Sequence, residues 1–165
     1  MARKPADRAS YEAQQEELLR SLIRGDAFPS GFAADKAAAA SRSLWRKRLR
    51  AVQAAWPALA VGLDESFEPR FEAYARSVPP PAFGHGFTDG LAFARSLPRA
   101  ELTDDARVEV LFARAVVSGR AGTFRDRRGV FAGVLALREP RRLLLVWRAP
   151  VLGRRQLVVR LGRDR

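Results

Sequence analysis

Apolar positions follow two different periods along the chain. From Ser10 to about Pro98 they recur at helical spacing. Ser10 can cap a first helix whose Leu18, Leu19, Leu22 and Ile23 share a face, with Gly25 as its stop. The turn-rich stretch "GDAFPSGF" (25–32) follows, with Phe28 and Phe32 expected against the core. Asp35 then opens a long helix to about Ala55. Trp45, Leu49, Val52 and Trp56, spaced i, i+4, i+7, i+11, form one buried stripe. Pro57 breaks this helix or starts the next at its first turn. Asp64, Glu65 and Glu68 mark the start of a helix to about Ser77, carrying the aromatic stripe Phe67, Phe71 and Tyr74. "VPPPAFGHGF" (78–87) reads as a stiff loop, after which Thr88 and Asp89 start a short helix with Leu91, Phe93, Ala94 and Leu97 as its apolar positions.

Beyond Pro98 the pattern changes. Thr103, followed by Asp104 and Asp105, caps a helix with Val108, Leu111, Phe112, Ala115 and Val116 on one face, ending near Gly119. Three short runs of strand character follow: "GVFAGVLAL" (129–137), "RLLLVWR" (142–148) and "QLVVRL" (156–161). A three-stranded antiparallel meander packed on the 103–118 helix is the simplest arrangement. The middle run is apolar on both faces and is expected to be the central strand, and the alternating last run suits an edge. The expected fold class is α+β: an all-helical unit over 10–98, then a small helix-plus-sheet unit over 99–165.

Composition narrows the function. The longest apolar run, Gly129 to Leu137, has nine residues, whereas a membrane-spanning helix needs roughly 20. The N-terminal stretch has basic residues but no apolar segment of the secretory type. With no cysteine there is no thiol nucleophile or thiolate metal site, and a reducing cytoplasm fits. His85 is the only histidine, the carboxylates are scattered, and neither a phosphate-binding nor a dinucleotide-binding glycine motif occurs. The expectation is a protein that is not an enzyme, with no cofactor and no metal.

Charge is the strongest compositional signal. The formal net charge is +12, from 27 Arg and 3 Lys against 18 acidic residues. Residues 1–98 contribute +3 and residues 99–165 contribute +9. Such a field attracts a polyanion: nucleic acid, anionic lipid or an acidic protein. Genome composition can raise the Arg-to-Lys ratio, but it does not explain why the halves differ.

Four features could carry function. In "LWRKRLR" (44–50), Arg46, Lys47 and Arg50 lie off the tryptophan stripe, either as a contact for phosphates or an acidic partner or as a solvated face. Toward the C-terminus, Arg142, Arg148, Arg154, Arg155 and Arg160 flank a strand edge that could accept an extended peptide and pair with its carboxylates. Charges placed there to prevent edge-to-edge aggregation would give the same pattern. The proline loop with Phe83, His85 and Phe87 could dock a partner or simply join helices. Trp45, Trp56, Phe67, Phe71 and Tyr74 have the spacing of core residues.

From Gln14 to Leu97 the chain also resembles a known family. The segments are "QQEELLRSLIRGD", "LWRKRLRAVQAAWPAL", "LDESFEPRFEAYARSVPPP" and a short helix after "FTDG", with Trp56-Pro57, Phe67 and the 79–81 proline break as the characteristic pieces. That family was once labelled a DNA-binding domain. Its members are understood as partners of multinuclear iron-dependent oxidative enzymes that modify ribosomally made peptides. The resemblance implies a non-catalytic accessory protein that pairs with a TIM-barrel iron enzyme as a heterodimer. It would help recruit an acidic precursor or leader peptide, using the small C-terminal sheet. A basic DNA- or RNA-binding protein is the alternative, although no helix-turn-helix pattern or aromatic ribonucleoprotein signature is present.

Overall fold

The computed structural model describes residues 12–18, 34–120, 123–138, 142–149 and 156–161, together with positions 10 and 21. The expected stop at Gly25, the 25–32 connection, and Arg154 and Arg155 lie outside the described residues, while 12–18 are helical. An alanine-rich stretch with no internal breaker makes α1 (Ala34–Ala55). Its stripe sinks progressively into the core: Trp45 is partly buried, and Leu49, Val52 and Trp56 are buried. Pro57 takes the first position of α2 (Pro57–Leu63), where its missing N–H is no loss. Trp56 at the cap offers no side-chain oxygen to this helix. The carboxylate of Glu109, from far along the chain, accepts from the N–H groups of Ala58 and Leu59, each at 2.9 Å. A long-range anion thus does the work of a local cap at the positive end of the helix.

A 3-10 turn (Asp64–Ser66) leads into α3 (Phe67–Ser77), and the proline loop leads into α4 (His85–Ser96). This last helix starts earlier than Thr88. Gly84 in the left-handed region (φ 72°) lets the chain turn in at His85, and Thr88 and Asp89 become buried residues inside the helix. Glycines 86 and 90, one turn apart, allow α4 to lie directly on α1. A Cβ at Gly86 would strike the Ala51 carbonyl, and one at Gly90 would overlap the Trp56 indole. The Trp56 Nε1–H donates to the Phe87 carbonyl at 2.9 Å. Phe67, Phe71, Tyr74 and Phe93 fill the centre, with edge-to-face pairs at 5.6 Å (Phe67–Phe93) and 5.3 Å (Phe71–Phe93).

A second 3-10 turn (Arg99–Glu101) precedes α5 (Asp104–Val116), which Thr103 caps by accepting from the Ala106 N–H. This helix has two apolar stripes. Ala106, Val110, Ala113 and Val116 pack into the helical core, while Val108, Leu111, Phe112 and Ala115 pack on the sheet. It is therefore the wall between the two halves. The chain then makes a two-residue ribbon, β1 (Val117–Ser118) with β2 (Arg125–Asp126), which the sequence pattern did not announce. β3 (Phe131–Leu137), β4 (Arg142–Arg148) and β5 (Gln156–Leu161) run antiparallel in that order, with β4 in the middle. The architecture is mixed helix and sheet, of α+β type.

Candidate interaction surfaces

Buried β4 positions face α5: Leu144 and Val146, with Phe131 and Leu135 of β3 beside them. The intervening positions face outward and are equally apolar. Ala132, Val134 and Ala136 pair with Trp147, Leu145 and Leu143, and Val134, Leu143 and Trp147 are 63%, 45% and 41% exposed. β5 sets Leu161, Val159 and Leu157 in register with Leu143, Leu145 and Trp147. β4 has β3 and β5 as its neighbours, and its two apolar faces differ in burial. One face is covered by α5, and among the described residues nothing covers the other. Exposed Arg128 and Arg138 flank β3, so this apolar surface has a basic rim. Among the described residues no strand lies beyond β3.

Of the arginines expected to flank a strand edge, Arg160 is on β5, which has a strand on one side only among the described residues. Arg142 and Arg148 occupy opposite ends of β4, a strand with a neighbour on each side, in register with Leu137 and Phe131. Seven residues of strand separate their ends by roughly 20 Å. Arg160 is in register with buried Leu144. Arg148 donates from one terminal nitrogen to the carbonyls of Ala115 (2.9 Å) and Val116 (3.3 Å).

Two more guanidinium groups converge on the same stretch of chain. Arg127 reaches the Arg114 carbonyl at 2.8 Å and the Val117 carbonyl at 3.3 Å, and Arg95 reaches the Gly119 carbonyl at 2.8 Å. The last carbonyls of α5 have no intrahelical donor and lie at the negative end of the helix dipole, so cations settle there. Part of the C-terminal charge excess therefore holds the helix end and the strands together. Arg127 and Arg95 also stack over Phe131 and Phe124 at 5.0 and 5.4 Å. Burial pushes the Arg95 guanidinium below its ordinary pKa, and Arg114 and Arg127 nearby push the same way.

The secondary basic face is present on α1. Arg42, Arg46, Lys47 and Arg50 are exposed and line an open depression of about 500 Å³ with Ala39 and Ser43. Arg48, between them in sequence, turns inward. Its Nε and a terminal nitrogen grip both oxygens of Asp89 at 2.6 and 2.8 Å, and its other terminal nitrogen donates to the carbonyls of Val78 (2.8 Å) and Ala75 (3.2 Å). The Tyr74 hydroxyl donates to the same carboxylate at 3.3 Å. The basic run in the sequence thus divides into one structural arginine and a solvent-facing set.

A groove of about 600 Å³ lies between α3 and α4. Ala73, Tyr74, Val78, Phe93 and Leu97 give it apolar walls, and Arg70, Arg95 and Arg120 stand around it. Neither the charge pattern nor the aromatic spacing singled it out, because Arg95 and Arg120 are far apart in sequence and meet only through the Gly119 carbonyl. His85 is exposed at the start of α4. Among the described residues no group of three or more His, Asp or Glu side chains could hold a metal ion, and no helix is long and apolar enough to cross a membrane.

No curated protein and no solved structure matches the chain. The sequence model of the family described as SCO6045-like, C-terminal domain matches residues 12–99. That span is more than half of the chain and takes in α1 to α4, and on it the protein belongs to the SCO6045-like, C-terminal domain family.

Proposed function

We propose that this protein is a non-catalytic accessory protein of a peptide-modifying system. It binds an iron-dependent TIM-barrel oxidative enzyme as a heterodimer and helps recruit the enzyme's ribosomally made, acidic precursor peptide. The observation that carries the reading is the outward sheet face, where Val134, Leu143 and Trp147 form an uncharged surface rimmed by Arg128 and Arg138. Contiguous exposed apolar area of this kind supports a protein partner, since phosphates gain nothing from valine and leucine. The basic rim favours a partner whose matching surface is apolar at its centre and acidic at its margin. The resemblance over Gln14 to Leu97 supplies the class of that partner.

The test is a co-purification of the full chain with the metalloenzyme encoded nearest to its gene. Wild type is expected to co-elute with it at micromolar concentration. Trp147→Glu and Val134→Glu put charge at exposed positions, so they are expected to remain folded by circular dichroism and to lose the complex. Absence of any complex for wild type, or equal binding by both variants, would refute the reading.

The α1 face supports a second reading, a nucleic-acid-binding protein, because its four cations have no ion pair among the described residues. That reading requires duplex affinity to fall with salt at a log–log slope of about −0.9 per phosphate contact, and Arg46→Gln with Arg50→Gln to flatten the slope. A flat response in wild type disposes of it.

A further inference from the structure

We propose that the groove between α3 and α4 is the site that takes the acidic peptide, with apolar side chains seated against Ala73, Val78 and Leu97 and carboxylates meeting Arg95 and Arg120. The inference rests on the accessory-protein reading for the source of the peptide, but its physical basis is separate. The walls that Ala73, Tyr74, Val78 and Leu97 give the groove are suited to aliphatic side chains.

Each charge around the groove has a defined role. Asp89 behind Tyr74 is only 2% exposed and is gripped by Arg48, so it does not repel an incoming carboxylate. Glu101 is ion-paired with Arg70, and that pair is neutral overall. Arg95 and Arg120 are then the net charge of the site, and neither forms an ion pair among the described residues.

Arg95 is also held in place. One terminal nitrogen bonds the Gly119 carbonyl, and the guanidinium plane lies over Phe124. A fixed guanidinium loses little freedom on meeting a carboxylate, and its planar fork suits two parallel hydrogen bonds. The Gly119 carbonyl brings it beside Arg120, the next residue in the chain, so two cations border the same end of the groove. Arg114 and Arg127 add like charge to Arg95, and an arriving anion relieves that repulsion. An acidic segment with apolar residues at alternate turns satisfies both the walls and this cationic end.

The experiment is fluorescence anisotropy on the full chain. The probe is a labelled peptide of about 16 residues built from Glu-Leu-Leu-Glu repeats, and the control has Lys in place of Glu. The acidic peptide is expected to bind and the basic one not to. Arg120→Glu should weaken binding by about tenfold or more. Ala73→Trp, at an exposed position on the groove wall, should block it while leaving the circular dichroism spectrum intact. Arg46→Glu with Arg50→Glu, on the α1 face, should change it by less than about threefold, the residual effect of a distant charge.

Equal affinity in Arg120→Glu and Ala73→Trp overturns the inference, as does an equally large loss from the α1 pair. Failure of the wild-type chain to bind the acidic peptide while the enzyme complex persists would refute this site alone. Binding that behaves as expected without any enzyme complex would uphold the site and sink the accessory-protein reading.

Discussion

Replacing Asp89 by alanine removes the partner of Arg48 from the interior of the helical unit. The pair is bidentate, at 2.6 and 2.8 Å, and the two side chains are 13% and 2% exposed. Removing one member of a buried pair typically costs about 3–5 kcal/mol, because the remaining charge stays in a poorly solvated place. Arg48 would keep the carbonyls of Ala75 and Val78, and its partial exposure admits some water. The lower end, about 3 kcal/mol, is therefore expected. At about 2–4 °C per kcal/mol for a chain of this size, Tm should fall by about 6–12 °C. Thermal and urea unfolding followed by circular dichroism measure this directly. Asp89→Ala combined with Arg48→Met should cost less than the sum of the single changes by about 2 kcal/mol. Glu72→Ala, which breaks an exposed helical pair with Arg76 at 2.6 Å, should cost less than about 0.5 kcal/mol. If Asp89→Ala lay within about 1 kcal/mol of wild type, or the two single effects simply added, the description of this pair as an internal clamp would be wrong.

Two further predictions concern the same core. Gly90→Ala should destabilise by about 1–3 kcal/mol despite alanine's better helix propensity, because its Cβ meets the fully buried Trp56 ring. Near-UV circular dichroism and Tm would record the change, and a stabilised variant would show that α4 does not press on α1 as described. Tyr74 has its pKa raised by burial first and by the Asp89 carboxylate next, so folding favours the neutral phenol. Its contribution is complete below the unfolded pKa of about 10 and is lost as pH rises beyond it. Wild type should therefore lose more stability than Tyr74→Phe between about pH 9 and pH 11, and parallel losses would contradict the placement of the hydroxyl against Asp89.

Residues such as Leu49, Val52, Phe67 and Phe71 announced their burial because a helix repeats its inward face every three to four residues. Thr103 announced the start of α5 for an equally local reason, since a cap is made within one turn. The start of α4 was less legible. Thr88 and Asp89 have the composition of an N-terminus, but Arg48 reaches in from α1 and Gly84 supplies a left-handed turn, so the same residues serve inside the helix instead. The basic run 46–50 showed its charge but not its division, because only the packing of α1 on α4 turns Arg48 inward and leaves Arg46, Lys47 and Arg50 in water.

The sequence by itself determined the helical stripes, the change of period after Pro98, the strand runs and the uneven charge, all of which depend on neighbours a few residues apart. Tertiary structure alone decided which face of β4 is covered, where Arg127 and Arg148 point and where the α3–α4 groove opens. An arginine in the sequence carries one charge wherever it lies. Whether that charge closes a helix end, as Arg148 does on Ala115, or stands beside an apolar groove, as Arg120 does, depends on which carbonyls and carboxylates the fold brings within about 3 Å of it.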